Sequence, residues 1–138
     1  MADVSVQGRP RAVPDALVRR AALAVLQGER REARLSITFL GRDAMRRLNR
    51  EYKGEDRPTD VISFGLETPG LGLVGDVYVC PWVAEREARS RGVRPREEIV
   101  RLVVHGTLHV LGWDHPDGGG RVRSAMWRRQ ERYVGRLG

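Results

Sequence analysis

Cysteine, lysine and histidine are scarce in this 138-residue sequence, and each scarcity narrows what the protein can be. Cys80 is the only cysteine, so the chain cannot form an internal disulfide, which favours a reducing compartment. No apolar run approaches the roughly 18 residues of a membrane-spanning helix, and the first residues lack the apolar segment of a secretory signal. We therefore expect a cytoplasmic protein that does not enter a membrane.

Lysine is nearly absent although the chain is strongly basic. The formal net charge is +7, and arginine carries almost all of the positive charge because Lys53 is the only lysine. Since the planar guanidinium group matches the geometry of phosphate, a nucleic-acid partner is one explanation. A genome composition that exchanges lysine for arginine is the other explanation, and it implies no function. The charge alone does not decide between them.

Internal repeats, linkers and low-complexity segments are also absent, so residues 1–138 are predicted to form a single domain. The spacing of apolar residues predicts nine elements in the order β, α, β, α, β, β, α, α, α. In "RLSITFL" the alternation places Leu35, Ile37 and Phe39 on one side of a strand. "VISF" and "LVGDVYVC" are predicted to be neighbouring strands separated by the glycine-rich "GLETPGLG". This order predicts an α+β fold with a small mixed β-sheet packed against helices.

Proline and glycine mark the ends of the later helices. Pro81 and Pro95 are predicted in first helical turns, where the N–H group that proline lacks would be unpaired anyway. The helix that starts at Pro95 runs through "PREEIVRLVVHGTLHVLG", and Gly112 is predicted to end it in the left-handed conformation. The last segment, "RVRSAMWRRQERYVGRL", is predicted to be a basic helix with Met126 and Val134 among its apolar contacts.

All three histidines lie within the eleven residues "HGTLHVLGWDH". His105 and His109 are four residues apart on a predicted helix, so both imidazoles project from one face and can bind one metal ion. Because Gly112 interrupts the helix, the chain can turn back and bring His115 to the same ion. The spacing H-x3-H-x2-G-x2-H therefore predicts a metal site formed by His105, His109 and His115 at the end of a helix and in the following loop.

Three imidazoles indicate a catalytic metal rather than a structural one. They leave a tetrahedral zinc ion one open position for a water molecule, whose pKa such a site lowers to about 7. A structural site needs a fourth protein ligand, and Cys80, the only candidate cysteine, is better explained as a small buried hydrophobic residue. Zinc peptidases share the histidine frame but carry a glutamate as general base directly after the first histidine. Gly106 occupies that position here, which indicates a metal hydrolase other than a standard peptidase.

Four segments resemble one known family. "HGTLHVLGWDH" resembles the signature H-G-x-L-H-x-x-G-[YW]-D-H of the YbeY family of metal-dependent single-strand endoribonucleases. "LNREYKGEDRPTDVISF" resembles that family's L-N-x-x-Y-R-G-x-D-x-P-T-D-V-L-S-F segment, "GDVYVC" resembles its G-D-I-x-I-S strand, and "MWRRQERYV" resembles its closing M-x-x-x-E helix. The segments occur in the family's order, from about Leu35 to Val134.

The resemblance implies one zinc ion per chain, held by His105, His109 and His115. It also implies an endoribonuclease that acts in ribosomal RNA maturation, including processing of the 16S rRNA 3′ end, and in ribosome quality control. Single-stranded RNA, ribosomal RNA and the small ribosomal subunit are the partners that it implies. The sequence does not assign an oligomeric state.

Lys53 and Gly65 are two of the positions at which the chain departs from the family pattern. Lys53 stands where the family usually has an arginine that acts on RNA, and lysine cannot form a bidentate contact with phosphate. Either Lys53 suffices or Arg57 shares the role, so Lys53 and Arg57 are the candidate catalytic residues. Gly65 replaces a proline of the family, and we expect it to lie in a turn away from the chemistry.

Alternatives remain for other residues and for the function. Asp60 either caps a turn before a strand or takes part in the site, and Asp76 either faces the site or pairs with an arginine. Trp113 either stacks on a base or covers the metal loop as part of the core, and Asp114 either orients a ligand imidazole or caps a turn. The rival functions are a metallohydrolase of a non-RNA substrate, which needs a base near the metal, and a non-catalytic ribosome-binding factor with a structural metal, which needs a fourth ligand.

Overall fold

The structure is a computed structural model that describes residues 2–11, 13–114 and 124–137. Its elements in chain order are β1 (Asp3–Gly8), α1 (Asp15–Gly28), β2 (Arg34–Phe39), α2 (Arg42–Lys53), β3 (Val61–Thr68), β4 (Gly72–Val79), α3 (Pro81–Arg91), α4 (Pro95–Val110) and α5 (Ala125–Leu137). This is the predicted order, and the predicted α+β class is confirmed. Within these ranges no helix is long and apolar enough to cross a lipid bilayer.

The four strands form one mixed sheet in the order β1-β2-β4-β3. The pairs β1–β2 and β2–β4 are parallel, whereas β3 runs antiparallel to β4. Leu35, Ile37 and Phe39 are buried, as the alternation in "RLSITFL" predicts. The mixed sheet and the neighbouring positions of β3 and β4 are both confirmed.

The connection between β3 and β4 is shorter than the predicted segment "GLETPGLG", so this prediction was wrong. Gly65 does not lie in a turn but in β3, where it pairs with Gly75 of β4. Helix α4 passes so close that a Cβ atom on Gly65 would lie 2.8 Å from the carbonyl oxygen of Val110, and one on Gly75 would lie 2.4 Å from Val110 Cγ1. These glycines give the helix room against the sheet. In the sequence alone, a glycine with this packing role looks the same as a glycine that forms a turn.

Helices cover the two faces of the sheet unequally. Helices α1 and α4 pack on the face that carries Ile37 and Val77, and they form the main core with it. On the other face Met45 of α2 packs with Ile62 in a smaller cluster that includes Cys80. Cys80 is fully buried and burial raises the pKa of its thiol, so it is the small hydrophobic residue that the sequence indicated.

Candidate active site

Helix α4 presents His105 and His109 from consecutive turns. Their ring centroids are 4.5 Å apart and their planes make an angle of 73°. Both residues are half-buried, so the rings are reachable from solvent while the helix backbone is held by the core. Two neutral imidazoles in this arrangement match the nitrogen donors that zinc accepts in proteins.

Gly112 ends α4 immediately after the second histidine. Its φ angle is +100°, its N–H group donates to the carbonyl oxygen of His109 at 2.9 Å, and the N–H group of Trp113 donates to Leu108 at 3.0 Å. This pair of hydrogen bonds is the Schellman arrangement, which requires a positive φ angle at the glycine. The predicted left-handed conformation of Gly112 at the end of the helix is therefore confirmed, whereas the return of the chain to bring in His115 stays a prediction.

The third predicted ligand, His115, lies outside the described residues, so the three-histidine set stays a prediction. In the part of the chain that the structure describes, no three histidine, cysteine, aspartate or glutamate side chains converge as a metal site. The described ranges thus contribute two ligands of the predicted set, His105 and His109.

Gly106 lies where α4 is pressed most closely against the sheet. A Cβ atom at this position would lie 2.5 Å from Val77 Cγ1 and 3.4 Å from Val61 Cγ2. Such distances leave no room even for a methyl group unless the sheet or the helix shifts. The glutamate base of zinc peptidases is therefore absent from the sequence and also excluded from this position by packing.

Helix α5 contributes a buried residue that contacts the site. Oε1 of Gln130 lies 2.7 Å from Nδ1 of His105, and Gln130 is only 2% exposed. Sequence reasoning missed Gln130, although two signals pointed to it. It is a polar residue on the apolar stripe between Met126 and Val134, and it occupies the last position of the pattern M-x-x-x-E, where this chain has glutamine.

Gln130 also contacts an ion-pair network through its other amide atom. Its Nε2 donates to Glu131 Oε2 at 3.0 Å, and Arg101 of α4 donates to both oxygens of Glu131 at 2.9 and 3.0 Å. Arg101 also donates to the buried Glu98 at 2.8 Å. Burial alone would raise the pKa of Glu131, but the hydrogen bonds from Arg101 and Gln130 lower it overall. Glu131 is therefore a carboxylate that only accepts hydrogen bonds.

A cleft of about 630 Å³ opens beside the two histidines. It contains both candidate catalytic residues, and its wall is formed by the end of α2, the segment 54–60, the start of β3, α3 and α4. The lining residues are Tyr52, Lys53, Glu55, Arg57, Pro58, Thr59, Asp60, Val61, Ile62, Ser63, Phe64, Val83, Glu87, His105 and His109. Two regions that are far apart in the sequence, the "YKGEDRPTD" segment and the histidine helix, thus face one cavity.

Hydrogen bonds to α2 hold the segment 54–60 in place. The fully buried Asn49 donates from Nδ2 to the carbonyl oxygen of Arg57 at 2.8 Å, and Arg46 binds both carboxylate oxygens of Asp56 at 2.9 and 3.0 Å. The guanidinium group of Arg57 itself lies at the surface, 3.3 Å from Glu55. The backbone at Arg57 is therefore fixed, while its side chain is in an exposed pair that an anionic ligand can replace at little cost.

Some residues whose roles the sequence left open line the cleft, and others belong to the rest of the fold. Asp60 lines the cleft, and its Oδ1 also accepts the N–H of Val61 at 2.7 Å. Asp76 points away from α4, because it alternates with Val77, and it is not among the described residues that line the cleft. Trp113 packs against the main core and donates to Glu29 at 3.0 Å, so it covers the end of α4.

Comparison with known proteins identifies the family of this chain. A sequence model of the family described as Endoribonuclease YbeY matches residues 10–138. This chain belongs to the endoribonuclease YbeY family. Two relatives carry that name: the protein of Pelotomaculum thermopropionicum is 40% identical over 88% of this chain and 84% of its own length, and that of Stenotrophomonas maltophilia is 39% identical over 87% and 78%.

A third relative named Endoribonuclease YbeY, from Aquifex aeolicus, is 42% identical over 72% of this chain and 67% of its own length. The fold is similar to the solution structure of a Thermotoga maritima protein, with a TM-score of 0.68 and 26% identity. That similarity covers 97% of this chain and 88% of the other. Both the family and its fold therefore extend over nearly the whole of this chain.

Proposed function

We propose that this protein is a zinc-dependent endoribonuclease that cuts single-stranded RNA and acts in ribosomal RNA maturation. Membership of a family of endoribonucleases supports the reaction class. The observation that carries the proposal is the shared cleft, because His105, His109, Lys53 and Arg57 all line it. Nitrogen ligands for a metal and cations for a phosphate are the two parts that metal-assisted phosphodiester cleavage requires.

His105, His109 and His115 would hold the zinc ion. The donor set fits this metal, because neutral imidazoles suit zinc and the Nδ1 atom of His105 already faces a buried oxygen of Gln130. Zinc in such a site supplies Lewis acidity, which activates water or polarises a phosphate oxygen. The packing around Gly106 excludes the glutamate base of the peptidase rival.

Lys53 and Arg57 would bind the phosphodiester and its developing negative charge. Lys53 is the last residue of α2, and Gly54, with φ +71°, turns the chain away directly after it. Arg57 would exchange its exposed contact with Glu55 for a phosphate oxygen, with which arginine forms a stronger bidentate pair. Both residues then act on the RNA backbone rather than on base identity.

The cleft also contains aromatic rings that favour unpaired RNA. Tyr52 is 61% exposed, and its ring centroid lies 4.6 Å from that of Phe64. Single-stranded RNA is recognised through bases that stack on such rings, which bases within a duplex cannot do. Ribosomal RNA, including the 3′ end of 16S rRNA, the small ribosomal subunit and a cytoplasmic location are the parts of this proposal that rest on the family resemblance.

Removal of either cationic side chain tests the role of the cleft. Lys53→Ala and Arg57→Ala should each slow the cleavage of a single-stranded RNA by about 10-fold or more, while the zinc content stays unchanged. Arg34→Ala is the matched control, because Arg34 lies at the other end of the sheet, where β2 begins. Lys53→Arg should keep or raise activity, since the guanidinium group adds a bidentate phosphate contact.

RNA binding by the parent protein should also weaken steeply as salt is added, because phosphate contacts release counterions. If Lys53→Ala and Arg57→Ala both cleave RNA as well as Arg34→Ala does, the segment 54–60 is only a connection. The substrate role given to it here would then be wrong.

A further inference from the structure

We propose that Gln130 is a positioning residue that sets the tautomer of His105 and thereby directs the Nε2 atom of this histidine to the metal. This inference rests on the metal site of the proposed function. It makes α5 part of that site, although α5 contributes no predicted ligand.

The orientation of the Gln130 side-chain amide follows from its neighbour. One end of the amide lies 3.0 Å from Glu131 Oε2, which already receives a hydrogen bond from Arg101. A carboxylate oxygen only accepts hydrogen bonds, so the NH₂ end of Gln130 must face Glu131. The reverse orientation would place two oxygen atoms against each other in a buried position. The oxygen end of the amide must therefore face His105.

The tautomer of His105 follows from that orientation. Its Nδ1 atom lies 2.7 Å from Gln130 Oε1, a distance typical of a strong hydrogen bond. Because this oxygen can only accept, Nδ1 must carry the hydrogen and donate it. A neutral imidazole has one protonated nitrogen, so the lone pair of His105 is on Nε2. Metal-binding histidines commonly make such a hydrogen bond through their second nitrogen.

Because Gln130 is buried, a water molecule cannot readily take its place as the hydrogen-bond partner of His105. Gln130 is 2% exposed and the side chain of Arg101 is 11% exposed, so bulk water does not reach this end of the imidazole readily. Arg101 supports this arrangement through Glu131, because it holds the carboxylate that orients the amide of Gln130. The series Arg101, Glu131, Gln130 and His105 thus begins on α4, passes through two neighbouring residues of α5 and returns to α4.

The tautomer can be measured without any metal. In the metal-free protein with ¹⁵N-labelled histidine at about pH 8, the two-bond ¹⁵N–¹H pattern of His105 should show hydrogen on Nδ1. In Gln130→Met, which keeps the length of the side chain but removes the acceptor, that pattern should change. Zinc affinity measured by competition with a chelator should fall about 10- to 100-fold.

Met126→Leu is the matched control, because Met126 is equally buried on α5 but has no polar contact with His105. It should leave both the tautomer and the zinc affinity unchanged. Hydrogen on Nε2 of His105 in the parent protein would overturn the inference, whether or not the variants fold. An unchanged zinc affinity in Gln130→Met would also overturn it. If the parent binds no zinc, the proposed function fails, but the tautomer measurement still decides this inference.

Discussion

At the scale of single residues, two glycines beside the histidines determine how helix α4 is placed. Gly106 lets α4 approach Val77, and Gly112 ends α4 so that the chain leaves its axis after His109. Neither glycine has a side chain that could bind a metal or RNA. They affect the site through backbone conformation and packing, so substitutions at these positions test those effects without removing a candidate ligand.

Gly112→Val should weaken zinc binding without removing a ligand. Among the described residues nothing lies within 4 Å of a Cβ atom at this position, so the expected cost comes from the φ angle of +100°, which a β-branched residue strongly disfavours. We expect a loss of about 1 to 3 kcal/mol in stability and a lower zinc affinity by chelator competition. Gly92→Val is the matched control, because Gly92 ends α3 with φ +70° and also has open space. Equal zinc affinity in the two variants would refute this role of Gly112.

Gly106→Ala should destabilise the protein by about 1 to 3 kcal/mol, because the new methyl group collides with Val77. The measurement is a double-mutant cycle with Val77→Ala, followed by denaturant unfolding. If the collision is the cause, the second substitution should relieve it, with a favourable coupling of roughly 0.5 to 3 kcal/mol. Strict additivity of the two effects would show that the helix does not lie as close to the sheet as described.

At the scale of secondary-structure elements, a network around Glu29 joins three parts of the chain. Glu29 follows α1, and it accepts hydrogen bonds from Trp113, which follows α4, and from Tyr133 of α5. Arg129 lies over the ring of Trp113, with its guanidinium carbon 5.0 Å from the ring centroid. The network holds the end of α4 against the core.

Tyr133 should make stability dependent on alkaline pH. Burial first, and then the hydrogen bond to Glu29, raise the pKa of Tyr133 to about 12. Because the folded pKa is above the unfolded value of about 10, this contribution is complete below pH 10 and is lost as the pH rises to about 12. We expect a loss of about 1 to 3 kcal/mol across this range.

Thermal unfolding between pH 9 and pH 12 measures this effect. Tyr133→Phe should be less stable than the parent at neutral pH and should lose less stability above pH 10. Tyr52→Phe, at an exposed tyrosine, is the control and should follow the parent. A parent and a Tyr133→Phe variant with parallel pH profiles would contradict the role of Tyr133.

The elements themselves were largely predictable, because local patterns encode them. Periodicity predicts the order of strands and helices, and Pro81 and Pro95 occupy first helical turns as predicted. The extent of the hairpin was not predictable, since Gly65 resembles a turn signal until the approach of Val110 is known. The same limit applies to Gln130, whose contact with His105 joins residues 25 positions apart and depends on how α5 packs on α4.

At the scale of the whole molecule, the net charge of +7 is a poor guide to the site. Several arginines near the cleft are paired with acidic residues, as Arg46 is with Asp56 and Arg57 with Glu55. What the topology contributes is that the end of α2 and part of α4 line one cleft at the start of β3. This arrangement brings the candidate substrate residues and the histidines to one cavity, and it depends on tertiary packing that the sequence pattern does not encode.

If the cleft is a metal-dependent RNA-cutting site centred on the α4 histidines, RNA cleavage should require both the metal and His109. The most direct test is the cleavage of a single-stranded RNA by the purified protein before chelation, after chelation and after zinc is returned, with His109→Ala measured in parallel. We expect cleavage by the parent protein to be lost on chelation and restored by zinc, and to be absent from His109→Ala under all three conditions. Cleavage that survives chelation, or that His109→Ala retains at the parent rate, would contradict this expectation.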